Sequence, residues 1–145
     1  MYRHTQIGWG IIIFFSLFLI PGFWGLYCPV KSFLPISVFF IFILVLFSGL
    51  TIVVDDKFVR LKFGPAGFPN RKFELTEIDS CKTAKKLWYS ITPGIHFSSG
   101  RVLYNVSGTN VVALTMKNGK TRLIGTDEPE KLCEYIQNKI RGRKN

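Results

Sequence analysis

From Ile7 to Tyr27, and again from Phe33 to Val54, the chain carries no charged side chain, and only Cys28 to Ser32 separate the two runs. A bilayer core of about 30 Å takes roughly 20 apolar residues in a helix that rises 1.5 Å per residue. The pattern therefore predicts a transmembrane helical hairpin, with spans over about 7–27 and 33–53. Trp9 at one end of the first run, and Trp24 and Tyr27 at the other, stand where amphipathic rings favour the headgroup level. A cleavable signal peptide is the competing interpretation. Its apolar region runs to roughly 7–15 residues and ends in a small-residue cleavage site. This run is longer, lacks such a site and leads at once into a second. Pro21 and Pro35 fall near the expected helix ends, where a missing N–H is tolerated.

After Val54 the period changes. Val59, Leu61 and Phe63 alternate with Phe58, Arg60 and Lys62, the two-residue period of a half-buried strand, which puts Arg60 and Lys62 on one outer face. Val112, Leu114 and Met116 repeat the alternation, and Lys117-Asn118-Gly119-Lys120 supplies an Asn-Gly turn before Thr121 to Ile124 returns, a hairpin signal. Phe73 to Lys82, Gly94 to Phe97 and Arg101 to Val106 read as further short strands, and Thr51 to Val54 as a strand leaving the second span. Helical spacing then returns with Leu132, Cys133, Ile136 and Ile140, after Asp127, Pro129 and Glu130 and before a cationic end, predicting a helix over about 127–141. The division expected is a tail and hairpin over 1–54 and one small domain over 55–145, a β-roll or barrel capped by its C-terminal helix.

Charge refines this picture. The chain is formally +10, and before Lys57 its only Lys and Arg are Arg3 and Lys31. Cationic residues stay on the cytoplasmic side, so one cation in the connecting loop against Lys57, Arg60, Lys62, Arg71 and Lys72 just past the second run predicts two cytoplasmic termini. No ionisable residue lies within either run, which argues against a transporter or channel. A basic domain beside a bilayer points to anionic lipid before nucleic acid.

The stretches Phe63-Gly64-Pro65, Glu74-Leu75-Thr76-Glu77-Ile78, Tyr104-Asn105-Val106-Ser107-Gly108, Lys117-Asn118-Gly119-Lys120 and Ile124-Gly125-Thr126-Asp127-Glu128-Pro129-Glu130, with the paired apolar runs before them, resemble small bacterial pleckstrin-homology-like membrane proteins. The likeness covers Thr51 to about Ile140. It implies a membrane-anchored α+β protein, a two-helix hairpin followed by a PH-like roll, in a bacterial inner membrane. It says little about activity, since one fold serves many binding roles. Members of that group carry a basic residue after a Gly-Ile pair, where this chain has His96.

Lipid-binding PH domains use a basic signature across their first two strands, and Lys57, Arg60 and Lys62 are similar to it. Cations one strand period apart can converge on a phosphate, with Asp55 and Asp56 alongside to weaken the site. A second group, Lys82, Lys85 and Lys86, leads into Trp88 and Tyr89, which suit either core packing or an interaction surface. Cys28, Cys81 and Cys133 form no Cys-x-x-Cys, and two histidines, His4 and His96, assemble no metal set or triad. Neighbours on a strand face opposite sides, so Asp79-Ser80-Cys81 is no nucleophile and base pair. No catalytic residue, cofactor or metal is expected. The expectation is a binding or assembly module that scaffolds self-association or docks to another membrane protein. Anionic-lipid recognition is the alternative, with an enzyme a remote one.

Overall fold

The structure, a computed structural model, describes residues 1–24, 33–85 and 94–143. In chain order its elements are β1 (Tyr2–Ile7), α1 (Trp9–Trp24), α2 (Phe33–Phe47), β2 (Gly49–Val54), β3 (Phe58–Phe63), β4 (Asn70–Glu74), a 3-10 turn (Leu75–Glu77), β5 (Ile78–Lys85), β6 (Gly94–Ser98), β7 (Arg101–Asn105), β8 (Asn110–Met116), β9 (Thr121–Gly125) and α3 (Pro129–Arg141).

The transmembrane hairpin is overturned. The helices α1 and α2 hold 16 and 15 residues, and among the described residues no helix is long and apolar enough to cross a membrane. At 1.5 Å per residue the longer helix reaches about 24 Å, short of a hydrocarbon core of about 30 Å. The membrane-anchored fold and the multi-pass inner-membrane placement with two cytoplasmic termini lose the spans on which they rested. In their place the described residues form a mostly β structure, two sheets with three short helices.

The cause lies at the ends of the charge-free runs. Ile7 closes β1, and the last six residues of the second run form β2. Without charges to mark a face, an apolar strand that pairs on both edges looks like a continuation of the helix before it. Thr51, Ile52, Val53 and Val54 are β-branched, and β2 pairs on both edges, with Tyr2–Ile7 on one side and β3 on the other. Residues 25–32, which include the expected connecting loop, lie outside the described set.

Four antiparallel strands form the first sheet in the order β1-β2-β3-β4, and five form the second in the order β5-β8-β9-β7-β6. Strands from both sides of the 54/55 division thus share one sheet. The alternation read over 58–63 is seen in full, with Val59, Leu61 and Phe63 completely buried. In the second sheet β8 and β9 form the Asn-Gly hairpin: Gly119 has φ 78°, and the Lys120 N–H donates to Asn118 Oδ1 at 3.1 Å. A parallel pair, β7 with β9, sets the rest of the order.

A single core draws on both sheets and α3. Leu50, Ile52 and Leu61 come from the first sheet, Val112, Leu114 and Ile124 from the second, and Leu132, Cys133 and Ile136 from the helix. Phe63 meets Tyr104 across the sheets at 6.5 Å between ring centres. The expected apolar stripe of α3 is therefore the one that packs. Its start differs: Glu128 is the N-cap, without a side-chain cap bond, because Asp127 is engaged elsewhere.

That engagement is with β1, read from sequence as a tail. Tyr2, His4 and Gln6 alternate inward, and each reaches beyond its own sheet. The His4 ring contacts Asp127 and lies 3.6 Å from Glu128, while the Tyr2 hydroxyl donates to Glu128 Oε2 at 3.3 Å. Gln6 Nε2 donates to the Ser107 carbonyl at 3.1 Å. Burial first, and the Glu128 carboxylate second, push the Tyr2 phenol up to about 12. A raised folded-state pKa means stability that is complete below the ordinary tyrosine value of about 10 and lost as pH rises through the folded one. The stability gap between wild type and Tyr2→Phe should accordingly be widest below pH 10 and close toward pH 12. Lys131 and Lys139 are also raised, by their bonds to Glu128 and Asp56, but both proteins share those contributions. A gap that stays constant across the window, in urea melts at each pH, would disprove the role given to the phenol.

Candidate functional site

Strand pairing builds a cationic face on the outer side of the first sheet. Residues directly opposite one another on antiparallel strands share a face. The register places Arg3, Val53, Arg60 and Lys72 in one row and Thr5, Thr51, Lys62 and Asn70 in the next. Both rows face away from Leu61 and Phe63, which fill the core. A cleft of about 320 Å³ opens here, lined by Arg60, Lys62, Asn70, Arg71 and Lys72 together with Leu61. Phe58 organises its cations, with the Lys72 ammonium 3.5 Å and the Arg60 guanidinium 5.9 Å from the ring centre, a favourable placement over the ring quadrupole.

Of the expected anion-site residues, the structure brings together Arg60 and Lys62. Lys57 sits on the turn before β3, and its carbonyl accepts the Leu75 N–H at 2.9 Å. The two neighbouring carboxylates act differently from one another. Asp55 holds Arg60 at 2.9 Å and partly neutralises it. Asp56 turns to Lys139 of α3 at 2.6 Å, and that bond holds its carboxyl below the ordinary range. Lys82 and Lys85 lie on β5, in the second sheet, so the two basic groups read from the sequence do not form one patch. Lys86, Trp88 and Tyr89 lie outside the described residues.

Sequence reasoning missed Asn70, and it used Arg71 and Lys72 only as a charge bias. The signal available was local: Arg71-Lys72 follows the turn at Pro65-Ala66-Gly67, close enough in sequence for β4 to fold back on β3. What could not be read was the register that sets Lys72 against Arg60.

The second candidate surface is apolar. The helices α1 and α2 contact one another, with Phe15 and Phe40 ring centres 5.5 Å apart, and α2 reaches the core through Phe47, 5.7 Å from Phe63. Their other faces stay open. Trp9 is 63% exposed, Leu17 60%, and Phe39 and Phe42 59% each. A helix apolar all round belongs in an apolar surrounding, and contiguous patches of this kind mark interaction sites.

Cys81 and Cys133 are both buried, and burial, then the hydrogen bond to Cys133, pushes the Cys81 thiol up, away from the nucleophilic thiolate. Among the described residues no three His, Cys, Asp or Glu side chains gather to hold a metal. Neither a protein-family model nor a curated protein matches this chain.

Proposed function

We propose that this chain is a binding and assembly module, not an enzyme, and that it associates with further copies of itself through the outer faces of α1 and α2. The observation that carries this is the set of large apolar side chains those helices expose, Trp9, Leu17, Phe39 and Phe42 among them. A second copy offers the same surface, and a two-fold axis makes such a patch its own complement. Among the described residues, the contact between α1 and α2 and the seating of Ile11 and Phe47 on the core leave Trp9, Leu17, Phe39 and Phe42 outside, so a copy laid against the pair covers what the fold does not. In support, the helices are anchored to the core by Ile11, Phe15 and Phe47, which holds the exposed side chains in place on the outside.

The test is particle mass. Full-length protein in gentle detergent should run above the 16.6 kDa of one chain, and Phe39→Glu with Phe42→Glu should return it to that mass while the circular dichroism of the sheets stays as it was. A wild type of one-chain mass at micromolar concentration, or a double variant that still assembles, would rule the reading out.

The second reading is recognition of a phosphate-bearing group, an anionic lipid headgroup, at the cationic cleft of the first sheet. Arg60, Lys62 and Lys72 around one cleft support it, because ammonium and guanidinium groups at strand spacing suit a phosphate. Lys62→Ala with Lys72→Ala should then weaken binding to vesicles containing anionic lipid more than Arg141→Ala with Arg143→Ala, a change of equal charge at the exposed end of α3. Equal losses would leave only general electrostatics, which salt screens over about 8–10 Å.

A further inference from the structure

The far end of the second sheet carries another surface, separate from the helices and from the cationic cleft. Cross-strand pairing puts Phe97 of β6, Val102 of β7, Arg122 of β9, Leu114 of β8 and Cys81 of β5 in one row on one side of the sheet. At its inner end this row is core, with Leu114 fully buried and Cys81 2% exposed. At its outer end Val102 is 8% exposed and Phe97 is 76% exposed. The row thus runs from the core past the half-buried Arg122 to Val102 and an open Phe97. Beside it lies a cleft of about 390 Å³ formed by Phe97, Val102, the Ser98–Gly100 turn, Arg101, Lys120 and Arg122. Its lining carries no carboxylate. The chain's other cations often find one, as Arg60, Lys131 and Lys139 do. Among the described residues, no ion pair involves Arg101, Lys120 or Arg122.

We propose that this cleft binds an extended acidic segment of a partner protein, with an apolar side chain of that segment seated on Phe97 and Val102 and its carboxylates met by Arg101, Lys120 and Arg122. Charge complementarity selects the occupant. Three cations around one cleft repel one another, and a segment carrying Glu or Asp on either side of an apolar residue relieves that repulsion while covering Phe97. Arginine fits carboxylates bidentately, and exposed aromatic and Arg side chains are the residue types that anchor interfaces. The architecture favours a polypeptide over a nucleic acid for two reasons. Among the described residues β6 ends the strand order of its sheet, and a sheet edge accepts an extended peptide as an added strand. Single-stranded nucleic acid calls for successive stacking platforms along a basic track, and this cleft has one aromatic ring.

The experiment uses the full-length protein and a fluorescein-labelled peptide of glutamates flanking one central leucine. Anisotropy titrations should show saturable binding that weakens as salt is raised. Phe97→Ser should weaken it by about tenfold or more, as loss of an interface anchor does, with the melting temperature nearly unchanged because Phe97 is 76% exposed. Arg122→Ala should weaken it as well, and a peptide with glutamine in place of glutamate should not bind. An oligomer of thymidines serves as the second probe. The proposal is overturned if the acidic peptide fails to bind at about 1 mM, the weak end of specific affinity. It is overturned equally if Phe97→Ser binds like wild type, or if the oligonucleotide binds more tightly than the peptide at the same salt.

Discussion

Gly64→Ala should cost about 3–5 kcal/mol of stability, combining a left-handed backbone conformation for a residue with a Cβ with overpacking against fixed atoms. Gly64 has φ +59°, and a Cβ there would stand 2.4 Å from the Val45 carbonyl oxygen and 2.8 Å from that of Leu46. Both are backbone atoms at the end of α2, so neither can swing away. The Gly64 N–H also donates to the Gly49 carbonyl at 2.8 Å, which ties the turn after β3 to the first residue of β2. Gly119→Ala is the control: its φ is +78°, but nothing lies within 4 Å of the added carbon. It should show the conformational cost alone, about 1–2 kcal/mol. Equal losses for the two variants in urea melts would mean that α2 is not seated on the turn as described.

Phe63→Ala should be as damaging, at about 3–5 kcal/mol, the usual cost of emptying a buried phenylalanine site. Phe63 is fully buried and stands where three parts meet. Its ring lies 5.7 Å from Phe47 of α2 and 6.5 Å from Tyr104 of β7, so its removal loosens the helix pair and both sheets at once. The exposed Phe97→Ala should change stability by less than about 0.5 kcal/mol, as surface substitutions do. Against a typical total of about 5–15 kcal/mol, the first change leaves a marginal protein and the second does not. A loss below about 1.5 kcal/mol for Phe63→Ala, the level of a volume-conserving swap, would show that the core does not converge on this ring.

The sequence misled at the ends of the two apolar runs, at Ile7 and at Gly49–Val54. Helical character in the apolar runs was legible, because two long charge-free stretches with prolines near their ends leave few other choices. The extent of the helices was not. A membrane helix and a strand without charges are both uninterrupted apolar sequence, and Gly49 to Val54 becomes a strand because Tyr2–Ile7 and Phe58–Phe63 are present on either side of it. The partner Tyr2–Ile7 was itself obscured. Its alternation is carried by Tyr2, His4 and Gln6, polar residues that bury by bonding to Glu128, Asp127 and Ser107 over more than a hundred positions.

By itself the sequence determined the elements whose pattern is local: the two-residue alternation over Val59 to Phe63, the Asn-Gly turn with Gly119 at positive φ, and the stripe of Leu132, Cys133 and Ile136 on the last helix. Each follows from neighbours a few residues apart, and each is a choice that backbone geometry and burial enforce without knowledge of the rest. Tertiary structure alone decided everything that depends on who lies opposite whom. Pairing joined Lys72 to Arg60 in one cleft, separated Lys82 and Lys85 from them, and set Phe97 in line with Arg122. Register and strand order arise from contacts between distant segments, whose energy exists only once the chain has closed its loops, so no local pattern can carry them.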